Sequence, residues 1–328
     1  MPKDIFDCGE VFLSLKQSSM KTSLSFVLFL GSLFGAGLSL SAQNFPGDMA
    51  LSLVLIEGED WQLVAAGYQF TDAACGDGAG NFYFADVLRG DSINKVGSDG
   101  KVTAFIEKTP RISGLKFGPD GRLYACTQAP KKQIVAFEIP SGEMSVVADE
   151  VQPNDLVVTS KGFIYFTETG KKQVTVIDPQ GNKRAADVGI GKPNGIALSR
   201  DQGTLAVSDY GGSNVWVFRI EADGSLSAKA PYMELRTPLG KADSLGDGMT
   251  TDTAGRYYVT SAVGIQMFDS TGRLGGVIAR PQNKAVVSVA FAGPNLEYLY
   301  AACSDKIYRR KTKTKGVWFP PKGPKRGA

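Results

Sequence analysis

Short apolar runs separated by glycine-bearing turns recur along most of the chain, and the residues that open them are evenly spaced. An acidic or small polar residue stands before such a run at Asp72, Ser113, Asn154, Asn194, Asp247 and Ser288, at intervals of 41, 41, 40, 53 and 41 residues. Eight residues after these stations come Gly80, Gly121, Gly162 and Gly255, with Gly203 one residue later in its repeat. Eleven residues after them come Tyr83, Tyr124, Tyr165 and Tyr258, and Tyr300 follows Ser288 by twelve. Runs this short and apolar cannot stand alone, and a repeat of ~40 residues made of them reads as one four-stranded blade of a β-propeller. Six stations predict an all-β fold, a six-bladed β-propeller. Helical periodicity and heptads are hard to find.

The pattern also predicts how the ring closes. Two strand-like runs, Leu51 to Ile56 and Trp61 to Ala66, precede the first station. One of them is expected to complete the blade begun at Ser288, so that no sheet edge stays open. Asp99-Gly100 and Asp120-Gly121 are hairpin turns between successive runs. The long interval after Asn194 places extra residues around 231–245, in a loop over one face. Such a loop is either a substrate lid or plain surface.

Radial blades bring the equivalent residue of every repeat to one central channel. The six stations then converge as Asp, Ser, Asn, Asn, Asp and Ser, hard oxygen donors that suit a cation such as calcium. Taken singly, Asn194-Gly195 and Asp247-Gly248 are turn dipeptides. Their equivalent places at inner-strand starts set them apart from the hairpin turns. The chain has no histidine, which excludes a His-dependent serine triad, and no cysteines are spaced for zinc.

The 328 residues admit two domains, but one repeat array accounts for them. Residues 1–42 differ. Lys21 precedes an apolar stretch from Leu24 to Leu40, and Ser-Leu-Ser-Ala at 39–42 offers a cleavage site before Gln43. This reads as an export signal beginning at Met20 and cleaved near Ala42, with residues 1–19 an upstream extension and the mature protein periplasmic or secreted. A retained anchor is the competing reading, although the run is shorter than the ~20 residues that span a bilayer. Cys75, Cys126 and Cys303 remain after cleavage, each in or beside an apolar run, and read as buried thiols.

The net charge of +3 is uneven, because residues 305–328 carry nine Lys or Arg and one Asp. The remainder is mildly acidic, which agrees with a cation site. Residues 43–312 are thus assigned to the propeller and 313–328 to a basic tail, read as a solvated end. The tail lacks interleaved aromatics beyond Trp318 and Phe319, and the repeats show no basic stripe. No nucleic-acid partner is expected, and no membrane once the signal is gone.

Several stretches together resemble a known family. They are Pro153-Asn154-Asp155-Leu156-Val157-Val158 followed by Gly162-Phe163-Ile164-Tyr165-Phe166-Thr167, then Pro193-Asn194-Gly195-Ile196-Ala197-Leu198-Ser199, Asp247-Gly248-Met249, and Phe291-Ala292-Gly293-Pro294 before Tyr298-Leu299-Tyr300. Over about residues 65–312 the chain is similar to the senescence-marker-protein/gluconolactonase/luciferin-regenerating-enzyme family. The resemblance implies a divalent cation at the top of the channel and hydrolysis of sugar-acid lactones. It implies Asp72, Asn194 and Asp247 as metal ligands and Asn154 as a residue touching metal or substrate. Calcium is favoured over zinc by the absence of histidine and of ligand-spaced cysteine, with zinc and magnesium as the other candidates.

Departures bear on the substrate. The first motif reads Asp72-Ala73-Ala74 where relatives carry Glu-Gly-Pro, Ser113 stands where many have Asn, and Gln152 stands near a position where some have a sugar-binding Arg. Glu168-Thr169 replaces a frequent Asp-Pro. Arg111 either replaces the missing guanidinium or is a solvent-facing residue of the turn; Arg111, Ser113 and Asn154 are taken as the expected substrate contacts. The expected reaction is hydrolysis in which the cation polarises the lactone carbonyl and Asp247 accepts a proton from water. The alternative is a non-catalytic propeller that binds a sugar or a protein and holds calcium as a structural ion.

Overall fold

Strands rich in Val, Ile, Phe and Tyr need cover on both faces, and sheets stacked radially give it to them. The computed structural model describes residues 51–320; the leader read from residues 1–42 and the last residues of the tail lie outside the described residues. Within that span six antiparallel sheets of four strands each make the predicted propeller. Blade 1 is Thr71–Gly76, Phe82–Asp86, Ser92–Val96 and Val102–Glu107, and blade 2 is Arg111–Phe117, Leu123–Ala129, Ile134–Phe137 and Met144–Ala148. Blade 3 is Leu156–Val158, Ile164–Glu168, Gln173–Ile177 and Lys183–Val188. Blade 4 is Pro193–Leu198, Thr204–Asp209, Asn214–Ile220 and Leu226–Glu234, and blade 5 is Met249–Thr251, Tyr257–Ser261, Gly264–Phe268 and Leu274–Ile278.

Blade 6 takes Ser288–Ala292, Tyr298–Cys303 and Lys306–Lys311 from one end of the array and Gln62–Ala66 from the other. Gln62 pairs with Arg309 and Ala66 with Lys306, so the run at 61–66 closes the ring as expected. The earlier run forms a short 3-10 turn, Leu51–Leu53, whose Leu51 packs between blades 5 and 6.

Burial falls along each blade from axis to rim. Pro193–Leu198 is buried throughout, whereas Lys183–Val188 at the outside of blade 3 is largely exposed. The apolar core is therefore divided into wedges, one at every blade junction. Cys75 and Tyr83 meet Ile112 and Leu123 between blades 1 and 2, and Tyr165 and Val174 meet Leu205 and Phe218 between blades 3 and 4. Each fully buried Leu, Ile, Val or Phe contributes about 1.5–3 kcal/mol, so the junctions hold the ring.

The glycine and tyrosine of the repeat explain each other at the underside, where the inner strands end. Asp77, Asp120 and Asp252 each open a tight turn and accept backbone N–H groups across it, and the repeat tyrosine donates its hydroxyl to the same carboxylate. The distances are 2.8 Å for Tyr83 to Asp77, 2.8 Å for Tyr124 to Asp120 and 3.0 Å for Tyr258 to Asp252. Tyr165 donates instead to the Gly224 carbonyl at 2.7 Å.

Residues 313–319 correct one expectation. Instead of forming a solvated end they cross the underside as a strap. The Lys313 N–H donates to Val54 at 2.7 Å, the Thr314 hydroxyl to Asp252 at 2.9 Å and the Gly316 N–H to the Leu296 carbonyl at 2.9 Å. Trp318 lies edge-on to Phe117 with centroids 5.9 Å apart, and Phe319 joins the wedge between blades 3 and 4. The charge count hid a period of two: Lys313 and Lys315 are exposed while Thr314 and Gly316 are buried. Between the strap and the inner strands lies a cavity of about 100 Å³ lined by Lys116, Val157, Ile196, Met249 and Trp318.

Candidate functional site

At the other end of the channel the inner strands begin, and blades 2 to 6 are stitched to one another by hydroxyls. Ser113 donates to the carbonyl of Asn154 at 2.6 Å, Thr167 to that of Asn194 at 2.6 Å, Ser208 to that of Asp247 at 3.1 Å and Thr260 to that of Val287 at 3.1 Å. The backbone at each of these stations is thereby fixed by the preceding blade. Gly195 and Gly248 are required by close approach rather than by a turn. A Cβ on Gly195 would run into the Asp247 carbonyl, and one on Gly248 would lie 2.8 Å from the Val287 oxygen.

Three carboxylates share this mouth. Asp72 accepts the Ala73 N–H at 2.7 Å, with Ala73 held at φ 62°, and is also within reach of the Ser288 hydroxyl. Burial pushes the Asp72 carboxyl up to about 7; the Ala73 bond opposes this and the charge of Asp155 adds to it. Burial likewise lifts Asp247 well above the ordinary carboxylate range, helped by the charges of Asp72 and Asp155. Asp155 is raised by burial too, against the pull of the Lys116 ammonium and of N–H donors from Leu156 at 2.8 Å and from Ile196, across the blade joint, at 3.3 Å. One ammonium does not balance three carboxyls in a low-dielectric hub.

Asn194 supplies a further sign. Its side-chain oxygen is buried and accepts no hydrogen bond, a condition that costs about 1–3 kcal/mol unless something outside the chain satisfies it. Among the described residues no group of three or more His, Cys, Asp or Glu is arranged to hold a metal. The Asn194 amide oxygen is available to an ion at this mouth beside the carboxylates. Mutually repelling carboxylates beside an unpartnered amide oxygen fit a hard divalent cation, whose charge reverses the local pKa balance.

The other expected residues have distinct placements. Asn154 is half-buried at the mouth, its N–H bonded to the Thr167 carbonyl at 2.8 Å. The Ser113 hydroxyl donates to Asn154 and accepts from Gln128 at 2.7 Å, which makes it a joint between blades. Arg111 is exposed at the start of the inner strand of blade 2 and lies over Gly90. Gln152 is exposed beside it in the ring, with its backbone N–H held by Glu168 at 2.7 Å. The insertion after blade 4 is pinned at both ends, by the paired bonds of Gln266 to the Arg236 backbone and by the Ser244 N–H to Gly212 at 3.0 Å, with Leu239 fully exposed between.

Asp155 and Lys116 are the hub residues that the repeat pattern misses. Asp155 stands one place past its station, where repeats four and five carry glycine. Lys116 interrupts the apolar run Leu115 to Phe117. An acid in a glycine column and a cation inside an inner strand are both visible in the alignment of repeats, yet a search for matched columns passes over them.

This arrangement is that of a six-bladed propeller with an acid-and-amide hub at one mouth. The sequence pattern of the SMP-30/Gluconolactonase/LRE-like region matches residues 73–304, and the chain belongs to that family. It is 26% identical over 234 residues to a gluconolactonase of Zymomonas mobilis, a match covering 64% of this chain and 65% of that one. It is 26% identical over 200 residues to the pentonolactonase XacC of Haloferax volcanii, covering 59% and 67%. The chain thus spans just under two thirds of the first relative's length. Among solved structures, a gluconolactonase from Xanthomonas campestris superposes with a TM-score of 0.70 at 21% identity, covering 83% of this chain and 96% of that one. Regucalcin from Agrobacterium tumefaciens, a calcium-binding protein, superposes with a TM-score of 0.66 at 14% identity, covering 80% and 97%.

Proposed function

We propose that this chain is an exported lactonase that opens sugar-acid lactones with the help of a divalent cation, calcium in the first instance. The observation that carries the reading is the hub itself: burial raises the carboxyls of Asp72, Asp155 and Asp247, the charge of Asp155 adds to the rise at Asp72 and Asp247, and the Asn194 oxygen stays unpartnered. The names of the lactonase relatives supply the substrate class. Asp72, Asn154, Asn194 and Asp247 would hold the cation. When bound, such an ion supplies Lewis-acid polarisation of the lactone carbonyl.

Asp247 is assigned the proton-accepting role. Its carboxyl is raised by burial and by the charges of Asp72 and Asp155, and a carboxylate held beside a cation can take a proton from an attacking water. The fixed Asp247 carbonyl and the close-packed Gly248 hold its backbone still, which keeps the carboxylate oriented. Arg111 at the start of its inner strand and Asn154 at the mouth are candidates to orient the hydroxyls of a sugar lactone. Strap and wedge close the underside, so substrate enters and leaves at the hub end.

The deciding experiment measures bound metal in the mature protein by elemental analysis and follows gluconolactone hydrolysis before and after chelation. Hydrolysis that is lost on chelation and restored by calcium is expected. Bound calcium without hydrolysis of any lactone would instead mark the non-catalytic binding propeller. The export signal is checked separately: the mature chain should begin at Gln43.

A further inference from the structure

A second set of matched acids surrounds the hub without entering it. Asp86, Glu168 and Asp209 are each the last residue of the second strand of their blade, in blades 1, 3 and 4. They follow the stations Asp72, Asn154 and Asn194 by 14, 14 and 15 residues, with the same one-residue lag in the fourth repeat that Gly203 shows. All three are nearly inaccessible, at 3%, 1% and 8% exposure. The corresponding strand ends of blades 2, 5 and 6 are Ala129, Ser261 and Cys303, which carry no acid.

Each of these acids grips the backbone that leads into a station. Asp86 accepts the N–H of Gln69 at 2.7 Å and of Phe70 at 3.1 Å. Glu168 accepts the N–H of Gln152 at 2.7 Å. Asp209 accepts the N–H of Lys192 at 2.9 Å and of Gly191 at 3.3 Å. In all three blades the amide two residues before the station is bound: Phe70 before Asp72, Gln152 before Asn154, Lys192 before Asn194.

The acids are themselves fixed. Asp86 also takes the Arg89 N–H at 3.1 Å and Asp209 the Gly211 N–H at 3.2 Å. Glu168 is braced by Lys171 at 2.8 Å, Thr175 at 2.6 Å and Gln173 at 3.1 Å. Blade 5 does without such an acid. There the Asp247 N–H is bound by the Thr260 carbonyl at 3.0 Å and its approach by Ser244, whose hydroxyl reaches the Asp209 carbonyl at 3.5 Å.

We propose that Asp86, Glu168 and Asp209 form an outer ring of positioning residues, each fixing one donor-bearing loop, so that cation affinity at the hub depends on acids that never touch the cation. This rests on the cation reading above. Side chains one step behind a ligand set its geometry, and their loss typically lowers metal affinity about 10- to 100-fold. A charge-assisted bond from a fixed carboxylate to a loop amide is suited to that task.

The test uses the full mature chain with Asp86→Ala, Glu168→Ala and Asp209→Ala, and Asp178→Ala as a control. Asp178 makes the same kind of bonds, to Gln180 and Asn182 at 2.9 Å each, in an underside turn that leads to no station. Calcium affinity by calorimetry is expected to fall about 10- to 100-fold in the three ring variants and to stay unchanged in the control. Amide exchange is expected to quicken at Phe70, Gln152 or Lys192, each in its own variant. Where an Ala variant does not fold, Asp→Asn or Glu→Gln at that position, which keeps one accepting oxygen, should show a smaller loss in the same direction. Unchanged calcium affinity in folded ring variants overturns the proposal. If the unsubstituted chain takes up no calcium, the cation reading fails on its own ground, and the exchange data still decide the ring: amide protection that survives removal of the acids refutes it.

Discussion

The two ends of the central channel are built from the same repeat and treat their acids in opposite ways. At the underside Asp252 is completely inaccessible, yet it accepts bonds from the Ala254 and Arg256 amides and from the side chains of Arg256, Tyr258 and Thr314. Asp120 is similar: burial works against its charge, but Arg122 and Tyr124 outweigh burial and hold the carboxyl below its ordinary value. At the mouth Asp72 and Asp247 are left with few donors, and burial, with the charge of Asp155 added, lifts both. The fold satisfies an acid fully at one end and leaves it short at the other, a contrast that supports the cation reading proposed above.

The largest effects should separate the two ends. Asp247→Asn is expected to lower kcat for gluconolactone by about a hundred- to ten-thousand-fold, the usual worth of a general base, with little change in melting temperature. Asp252→Ala should do the reverse. It removes the acceptor that Arg256, Tyr258 and Thr314 share and costs about 3 kcal/mol of stability, while the folded variant keeps its turnover. Steady-state kinetics beside thermal melts check both, and an Asp247→Asn enzyme of full activity would remove that residue from the chemistry.

A smaller effect tests the unpartnered oxygen. Calcium at a hundred times its dissociation constant should stabilise the unsubstituted protein by about 2.7 kcal/mol. Asn194→Leu should abolish that response and, in chelator, raise stability by about 1 kcal/mol because a buried acceptor without a donor is gone. Melting curves with and without calcium distinguish this from a variant that is merely damaged, which would melt lower in both.

The smallest effect concerns acid. Burial opposes the charge of Glu168, but bonds from Lys171, Thr175 and Gln152 prevail and hold its carboxyl below the ordinary 4.5. A depressed acid contributes stability that is fully present above its unfolded value and is lost as the pH falls through the folded one. The stability of the unsubstituted chain should therefore fall as the pH drops below about 4.5, and Glu168→Gln should flatten that limb. An identical acid limb in the variant would show that Glu168 stays protonated or unpaired.

Sequence alone determined the number of blades, the inner-strand starts and the way the ring closes. A repeat of ~40 residues has one economical packing, and periodicity survives divergence because every blade junction needs the same apolar faces. Sequence also placed Asp72, Asn194 and Asp247 in matching columns. Tertiary structure decided which polar groups are satisfied. Nothing local marks Asp155 as a hub acid, since its second donor, Ile196, comes from the next blade 41 residues away. Nor does anything local show that the Asn194 oxygen lacks a donor, that Ser113 is spent as a joint, or that residues 313–319 cross the underside. Hydrogen bonds between blades and the exclusion of water at the axis are long-range properties, and they exist only once the ring has closed.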